Sequence, residues 1–399
     1  MIQSQVQSNK TSKHDVVQDV VIIGAGPIGM VAALLLAQQG GSVVVIEKNS
    51  TEVNPDGRYL ALSYGSLDIL KEALRPYDLS LTYEPILQVH TSMAEHRSQV
   101  VMDCADHRLN CLGGVLAYTQ LMETLRAALA MSCVEVLWST QVVDKTVSAD
   151  RVSLTLRSAL RADVNRDEVR EAQWVIHAEG GLFNQQTQQA QHRSYEQTAI
   201  VALVDMAHAP KGVAFERFTR NGPIALLPTN MNQYVSIWTA PHELVKELLS
   251  LSDDQYLLRL QYFYKELAGD FLAIKPRFEF NLGLNARDVI AQDRSFFMGN
   301  SAQTIHPFAG QGFNLGLRDV VVWVDLWAAK KTPTNELEAR YIAMRQRDRK
   351  TTIKLIDSIV TLFRRPHYIS QYGLAILLEM CELKPVKTRL SRLMMFGRR

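Results

Sequence analysis

Along the first fifty residues the apolar positions fall into three blocks. Asp19-Val20-Val21-Ile22-Ile23 is a short run that stops at a glycine, residues 27–39 carry apolar side chains around a helical stretch, and Ser42-Val43-Val44-Val45-Ile46 is a second unbroken run. Short apolar runs bounded by turn residues fit strands buried on both faces, so strand, helix and strand in this order predict a βαβ unit. Residues 115–131 read as another helix, and Val152-Ser153-Leu154-Thr155-Leu156-Arg157 alternates as an antiparallel strand with one solvated face. From about 197 to 240 strand-like runs follow one another, punctuated at Asn221-Gly222-Pro223 and Pro228-Thr229-Asn230, which predicts a sheet-rich second domain. Helical spacing returns over 243–267, Ser295-Phe296-Phe297-Met298 predicts a strand before Gly299, and a helix is expected over 312–329. The economical arrangement is a nucleotide-binding domain built from segments 18–90, 116–190 and 286–345, with substrate-domain segments 91–115 and 191–285. A poorly ordered lead at 1–17 and a basic helical segment at 346–399 complete the expectation.

Composition narrows the class of protein. A chain of 399 residues with 47% apolar and 21% charged side chains can bury a sizeable core, which excludes disorder over most of its length. A net charge of +2 argues against nucleic acid as a partner. Cys104, Cys111, Cys133 and Cys381 form no CxxC pair and have no histidine at finger spacing, so neither a disulfide framework, a structural zinc site nor any other metal is expected. A reducing, cytoplasmic compartment is the matching expectation. Residues 1–16 lack the apolar core of a signal peptide, and the longest apolar stretches, 31–37 and 374–378, fall short of the ~20 residues that cross a bilayer. Charge is uneven, however: residues 345–399 hold 13 Lys and Arg against 4 Asp and Glu. Basic and apolar residues alternate there, as in Leu390-Ser391-Arg392-Leu393-Met394-Met395-Phe396, a pattern that suits amphipathic helices on an anionic membrane. A solvated helical face packed on the body is the plainer reading of the same pattern.

Gly24-Ala25-Gly26-Pro27-Ile28-Gly29 fits GxGxxG directly after a strand and at the opening of a helix. Gly24 suits a tight turn, Gly26 lets backbone approach a pyrophosphate, and Gly29 lets helix and strand pack closely. The helix N-terminus offers unpaired N–H groups and a positive dipole end to phosphates. Glu47, with Lys48 beside it, closes the second strand 18 residues after Gly29, where a carboxylate would accept hydrogen bonds from an adenosine ribose. The motif does not distinguish NAD from FAD.

A second cluster runs from Phe297 to Asp319 and contains Gly299-Asn300-Ser301-Ala302-Gln303-Thr304, His306-Pro307 and Gly310-Gln311-Gly312-Phe313-Asn314. A strand, a glycine turn and a Gly-Gln-Gly at a helix start would gather backbone N–H groups around one polar point and favour negative charge there. The residues alone indicate an anion site of unspecified ligand. The cluster closely resembles the signature of the FAD-dependent aromatic hydroxylases typified by para-hydroxybenzoate hydroxylase, and within them the ubiquinone-biosynthesis hydroxylases. Asp56-Gly57-Arg58 with Ala61-Leu62-Ser63, and Ala214-Phe215-Glu216-Arg217-Phe218-Thr219 with Gly222-Pro223 and Leu227-Pro228, extend the resemblance. These last segments look most like the 2-polyprenyl-6-methoxyphenol hydroxylase branch.

The resemblance implies an α/β fold: a Rossmann-like FAD-binding domain of the GR2 type, an inserted sheet-rich α+β substrate domain and a helical C-terminus. It implies that Arg58 contacts the flavin side of FAD, that Gln120 and the backbone at Val142 line it, and that Asn300 holds the ribityl chain. His306 and Pro307 would border the isoalloxazine ring in a positioning role, with Gly310, Gln311 and Gly312 as backbone donors to the charge that a reduced flavin carries. The chain departs from the family at His177-Ala178-Glu179-Gly180, where Glu179 stands in place of Asp before Gly180, and at Phe183, where a small hydroxyl residue is usual. The extra methylene moves the carboxylate by about one C–C bond at a motif that helps bind FAD and the nicotinamide donor. The activity implied is hydroxylation of a polyprenyl phenol by O2 through a flavin C4a-hydroperoxide, with NAD(P)H as donor. A prenyl tail would favour peripheral contact with the inner face of an anionic membrane and with other ubiquinone-biosynthesis proteins. Two rival readings stay open: a hydroxylase of a soluble phenol, and a non-catalytic scaffold subunit supported by the altered 179–183 segment.

Overall fold

The expected βαβ unit forms the centre of a mixed sheet. In the computed structural model, which describes residues 17–52, 57–159, 167–181, 190–230, 232–264, 267–307, 310–329, 334–364 and 368–397, strands Gln18–Ile23 and Val43–Ile46 pair in parallel. Helix Pro27–Gln38 crosses between them and buries nearly its whole length, consistent with a stretch that has little polar face. Strand Glu135–Leu137 extends the sheet beyond Val43–Ile46, and Glu168–His177 lies on the other side of Gln18–Ile23. The last of these is bifunctional along its length. Its first half pairs antiparallel with Val152–Ser158, and its second half pairs in parallel with both Gln18–Ile23 and Ser295–Phe297. Strands from three stretches of chain thus share one sheet, and helix Gln311–Ala328 packs beside Pro27–Gln38.

A second, nine-stranded sheet draws on residues 88–103, 190–241, 271–287 and 303–304. Alternation gives it two different faces. Phe215, Ile224, Leu226 and Trp238 pack under helices His242–Ser250 and Asp253–Tyr264, while Ala214, Ala225, Leu227 and Ile237 face a cavity. The fold is therefore α/β, with a Rossmann-like sheet, a separate sheet-rich part and a helical C-terminus.

Three elements differ from the sequence reading. Residues 115–117 belong to strand Gly113–Ala117, which pairs with Tyr59–Ser63, and the helix starts only at Tyr118. The apolar Val115-Leu116-Ala117 runs into the helix without a polar break, so spacing alone cannot separate them. The stretch 243–267 is two helices, because Ser252 and Gln255 form a reciprocal cap in which Gln255 N–H meets Ser252 Oγ at 3.3 Å and Ser252 N–H meets Gln255 Oε1 at 3.1 Å. Pro228-Thr229-Asn230 lies in strand Gly222–Asn230, so the chain reverses after it.

The C-terminal segment forms helices Leu337–Arg364, Tyr368–Glu382 and Lys384–Phe396. Its charge is not all on the surface. Arg345 and Arg349 are buried, facing Asp319 and Gln303 respectively, so the sequence count overstates the basic charge available outside. Helix Tyr368–Glu382 lays Ala375, Leu378 and Cys381 on Met93, Val100 and Phe218. The final helix returns to helix Tyr64–Leu74, where the rings of Phe396 and Tyr64 meet edge to face.

Candidate functional site

The Gly24–Gly29 turn is held by contacts that leave one side open. A β-carbon on Gly29 would stand 2.0 Å from the Gly24 carbonyl oxygen, so only glycine permits this approach of helix to turn. A β-carbon on Gly26 would meet nothing nearer than the Ala178 carbonyl at 3.9 Å, which leaves room for an incoming group. Glu47 reaches back from its strand end, and its Oε2 accepts the Ala25 N–H at 2.7 Å while Oε1 accepts the Asn49 N–H at 2.9 Å. The carboxylate sits beside the positive end of helix Pro27–Gln38, with Lys48 exposed next to it. Turn, helix N-terminus and acid together could hold a pyrophosphate and its ribose.

The Ala178-Glu179-Gly180 segment leans on the same turn. Ala178 N–H donates to Ile23 O at 2.8 Å, and Gly180 N–H donates to Ser301 Oγ at 3.0 Å. Glu179 Oε1 lies 3.4 Å from His177 Nδ1, and the His177 ring stacks on Phe297. The Arg287 guanidinium also lies over the Phe297 ring, 3.9 Å from its centroid, near enough to Glu179 to feel its charge. Glu179 therefore has His177 within reach and the positive charge of Arg287 nearby. Phe183 lies outside the described residues, as does Asp56.

The 299–319 cluster is fixed from behind by a buried charge network. Asp319 Oδ1 accepts Arg345 Nε at 2.7 Å, and its Oδ2 accepts Gln303 Nε2 at 3.0 Å and the Gly299 N–H at 3.3 Å. Asp348 accepts from Arg345 and from Arg318, and Arg349 donates to Gln303 Oε1 and to the Arg287 and Ala302 carbonyls. Charges this deep persist only when paired. Here the pairs tie the turn at Gly299–Ser301 to helices Gln311–Ala328 and Leu337–Arg364.

At the front, Gly310 adopts φ +60° and its N–H donates to Pro307 O at 2.9 Å. That N–H is engaged in the turn, which corrects the expectation that Gly310 donates to a ligand. Gln311, Gly312 and Phe313 form the first turn of the helix, so their N–H groups lie at its positive end. Asn314 is buried and works on the backbone: it accepts the Ser63 N–H at 3.0 Å and donates to Gly310 O at 2.8 Å. His306 is buried against the Tyr195 ring, and that burial lowers its pKa to about 4, so it is a neutral imidazole at pH 7. Pro307, its neighbour, lines the cavity, whereas His306 does not.

The cavity has a volume of about 640 Å³ and an almost wholly apolar lining. One wall is the Asn300, Pro307 and Gly310–Asn314 region; a second is the open face of the large sheet; a third is Leu377, Leu378, Leu390, Met394 and Met395 of the last two helices. Glu216 is the only charged residue type among the described residues that line it. Burial pushes its carboxyl up to about 8. Glu216 and the C-terminal wall carry no site role that the sequence alone reveals. Their signal is an acid sharing an otherwise apolar strand face with Ala214 and Phe218.

The other expected residues fall elsewhere. Arg58 lays its guanidinium 4.3 Å from the Tyr118 ring centroid, with Gln120 two residues further along that helix. Val142 lies in strand Thr140–Val147, opposite Leu156, and packs on the apolar cluster under the central sheet. None of these three lines the cavity.

Three comparisons bear on this geometry. The FAD binding domain family matches residues 17–347. Ubiquinone hydroxylase UbiL of Rhodospirillum rubrum is 30% identical over 376 residues, covering 88% of this chain and 83% of that protein. The 3-demethoxyubiquinol 3-hydroxylase of Escherichia coli is 28% identical over 323 residues, covering 77% of this chain and 79% of that one. Among solved structures, p-nitrophenol 4-monooxygenase PnpA of Pseudomonas putida superposes with a TM-score of 0.74 over 96% of this chain and 99% of that one, at 15% identity.

Proposed function

The chain belongs to the FAD binding domain family, and from that premise we propose that it is an FAD-dependent monooxygenase that hydroxylates the ring of a polyprenyl phenol in ubiquinone biosynthesis. The apolar cavity of about 640 Å³ that meets the start of helix Gln311–Ala328 carries this reading. A cavity of this size suits a ring with an apolar chain, and its lining offers little to a soluble polar acid. FAD, when bound, supplies the redox chemistry that activates O2 at the expense of a reduced donor, here NAD(P)H.

The chain's own residues have separable tasks. The Gly24–Gly29 turn and the N-terminus of helix Pro27–Gln38 would hold the pyrophosphate, and Glu47, fixed against the turn, would hold the ribose. Asn300 and the N–H groups of Gln311, Gly312 and Phe313, at the start of helix Gln311–Ala328, would hold the ribityl and ring portions, where the helix dipole would favour negative charge. The apolar walls exclude water and orient the phenol. His306, neutral and buried, supports the Pro307 turn and moves no proton at pH 7.

A prenyl chain would come from a lipid phase, and the cavity mouth suits that delivery. No helix among the described residues is long and apolar enough to cross a membrane. Ile376, Leu377, Met380, Leu383 and Val386 are nonetheless exposed beside exposed Lys384, Arg389 and Arg392, and Leu377 and Val386 also line the cavity. The patch also holds exposed Glu379 and Glu382, so its apolar side chains are its main feature, and with Lys384, Arg389 and Arg392 they fit peripheral contact with anionic lipid. Retention on anionic vesicles at low salt, and loss at high salt, is the expected behaviour; no retention at low salt rejects this contact.

The visible absorption spectrum of the purified protein, before and after incubation with FAD and desalting, tests the main reading. Retained flavin near one per chain, followed by faster donor oxidation on adding a prenylated phenol, is expected. A folded, colourless protein that takes up no FAD rejects the enzyme and favours the scaffold.

A further inference from the structure

Five side chains form a row across the cavity face of the large sheet. Val100 pairs with Thr91, Thr91 with Glu216, Glu216 with Ala225, and Ala225 with Ile237. All five line the cavity. Glu216 stands at the middle of this row, between a threonine and an alanine, and among the described residues no donor hydrogen-bonds its carboxyl. Its partial accessibility comes from the cavity itself. Arg217, next along the strand, points to the other face and donates to Ser92 Oγ at 2.9 Å, so it does not neutralise Glu216 within the cavity. An unpaired carboxyl in an apolar enclosure costs stability unless a ligand completes it.

Resting on the hydroxylase reading above, we propose that Glu216 is the catalytic residue that binds the ring hydroxyl of the phenol and accepts its proton as the ring is hydroxylated. The O–H bond breaks, its proton passes to the Glu216 carboxylate, and the electron pair stays on the ring oxygen, raising electron density at the ring carbon that takes the new oxygen. Once the new C–O bond has formed, that carbon releases its own hydrogen as a proton to solvent, and Glu216 returns its proton to the ring oxygen. The oxidant is O2: one of its oxygen atoms enters the ring, and the other leaves as water, taking up two electrons from the reduced donor and two protons in the flavin-dependent activity. The cavity gives the carboxyl a basicity closer to that of a phenolate than an exposed glutamate has, which is what a proton acceptor for a phenol requires. The other titratable groups around it are Tyr59 and Cys381, which line the cavity, and Arg217, His90 and Tyr264, associated with the sheet's other face.

The test uses the FAD-loaded protein, a short-chain prenylated phenol and its methyl ether, with binding read from the flavin spectrum between pH 6 and 9. Wild type should bind the phenol about tenfold more tightly than the ether, and turnover of the phenol should rise with pH to a plateau above about 8. Glu216→Gln should keep its FAD, lose the preference for the hydroxyl, slow turnover about a hundredfold and abolish the pH rise, with Glu216→Asp recovering part of each. Equal binding of phenol and ether by wild type at every pH overturns the proposal without any variant. An unchanged pH profile in Glu216→Gln also overturns it. Hydroxyl preference that depends on Glu216 in a protein that never hydroxylates the phenol would instead reject the hydroxylase reading and leave the contact standing.

Discussion

Replacing Asp319 by Asn should cost about 4 kcal/mol of stability, near the middle of the range for breaking a buried ion pair. Asp319 is 1% exposed, and its Arg345 partner is 2% exposed. The carboxylate accepts three hydrogen bonds, from Arg345 Nε at 2.7 Å, Gln303 Nε2 at 3.0 Å and Gly299 N–H at 3.3 Å. Asparagine fills the same volume but turns one acceptor into an NH2, which then faces a donor and leaves at least one buried group unmatched, at about 1–3 kcal/mol. It also leaves Arg318 and Arg345 to share one paired carboxylate, that of Asp348. Urea unfolding, followed by far-UV circular dichroism, should show a lower midpoint at unchanged slope, and FAD should dissociate more readily because Asp319 fixes Gly299 and Gln303. A loss below about 1 kcal/mol would refute the reasoning, since it would mean that the pair is screened as a surface pair is.

Two further outcomes follow from other sites. Gly29→Ala would place a methyl 2.0 Å from the Gly24 carbonyl, so the turn must move; FAD binding should be lost, while His306→Gln should leave it intact. His306, at about 4 against an ordinary 6.5, is held neutral by burial, so its contribution to stability is present above pH 6.5 and lost as pH falls through about 4. That amounts to about 3 kcal/mol, and the wild-type advantage over His306→Gln, measured by denaturant midpoint, should shrink across that window; a constant difference would reject it.

The parts of the fold that local pattern controls could be read in advance. The first strand, helix and strand, and the glycine-rich helix start at Gln311, follow from apolar runs and turn residues within a few positions of one another. The strand at Gly113–Ala117 was hidden because its partner, Tyr59–Ser63, is some fifty residues away and nothing local separates it from the helix after it. Glu216 stands out in the sequence only as part of a motif, since its meaning depends on cross-strand register with Thr91 and Ala225. Arg345 and Arg349 read as surface charge in the sequence for the same reason. Their carboxylate and amide partners, Asp319 and Gln303, come from the other side of a helix boundary.

The third wall of the cavity has a temporal side. Leu377, Leu378, Leu390, Met394 and Met395 follow every residue of the central sheet in chain order. On the ribosome the turn around Gly24 and the helix at Gln311 can therefore emerge and take up FAD before that wall exists. Until the two last helices dock, the apolar face of the large sheet is exposed to the surroundings, and a membrane or a chaperone would compete with them for it. A released chain ending near residue 364 should bind flavin yet stay sticky, and the final thirty or so residues convert a hydrophobic surface into an enclosed chamber.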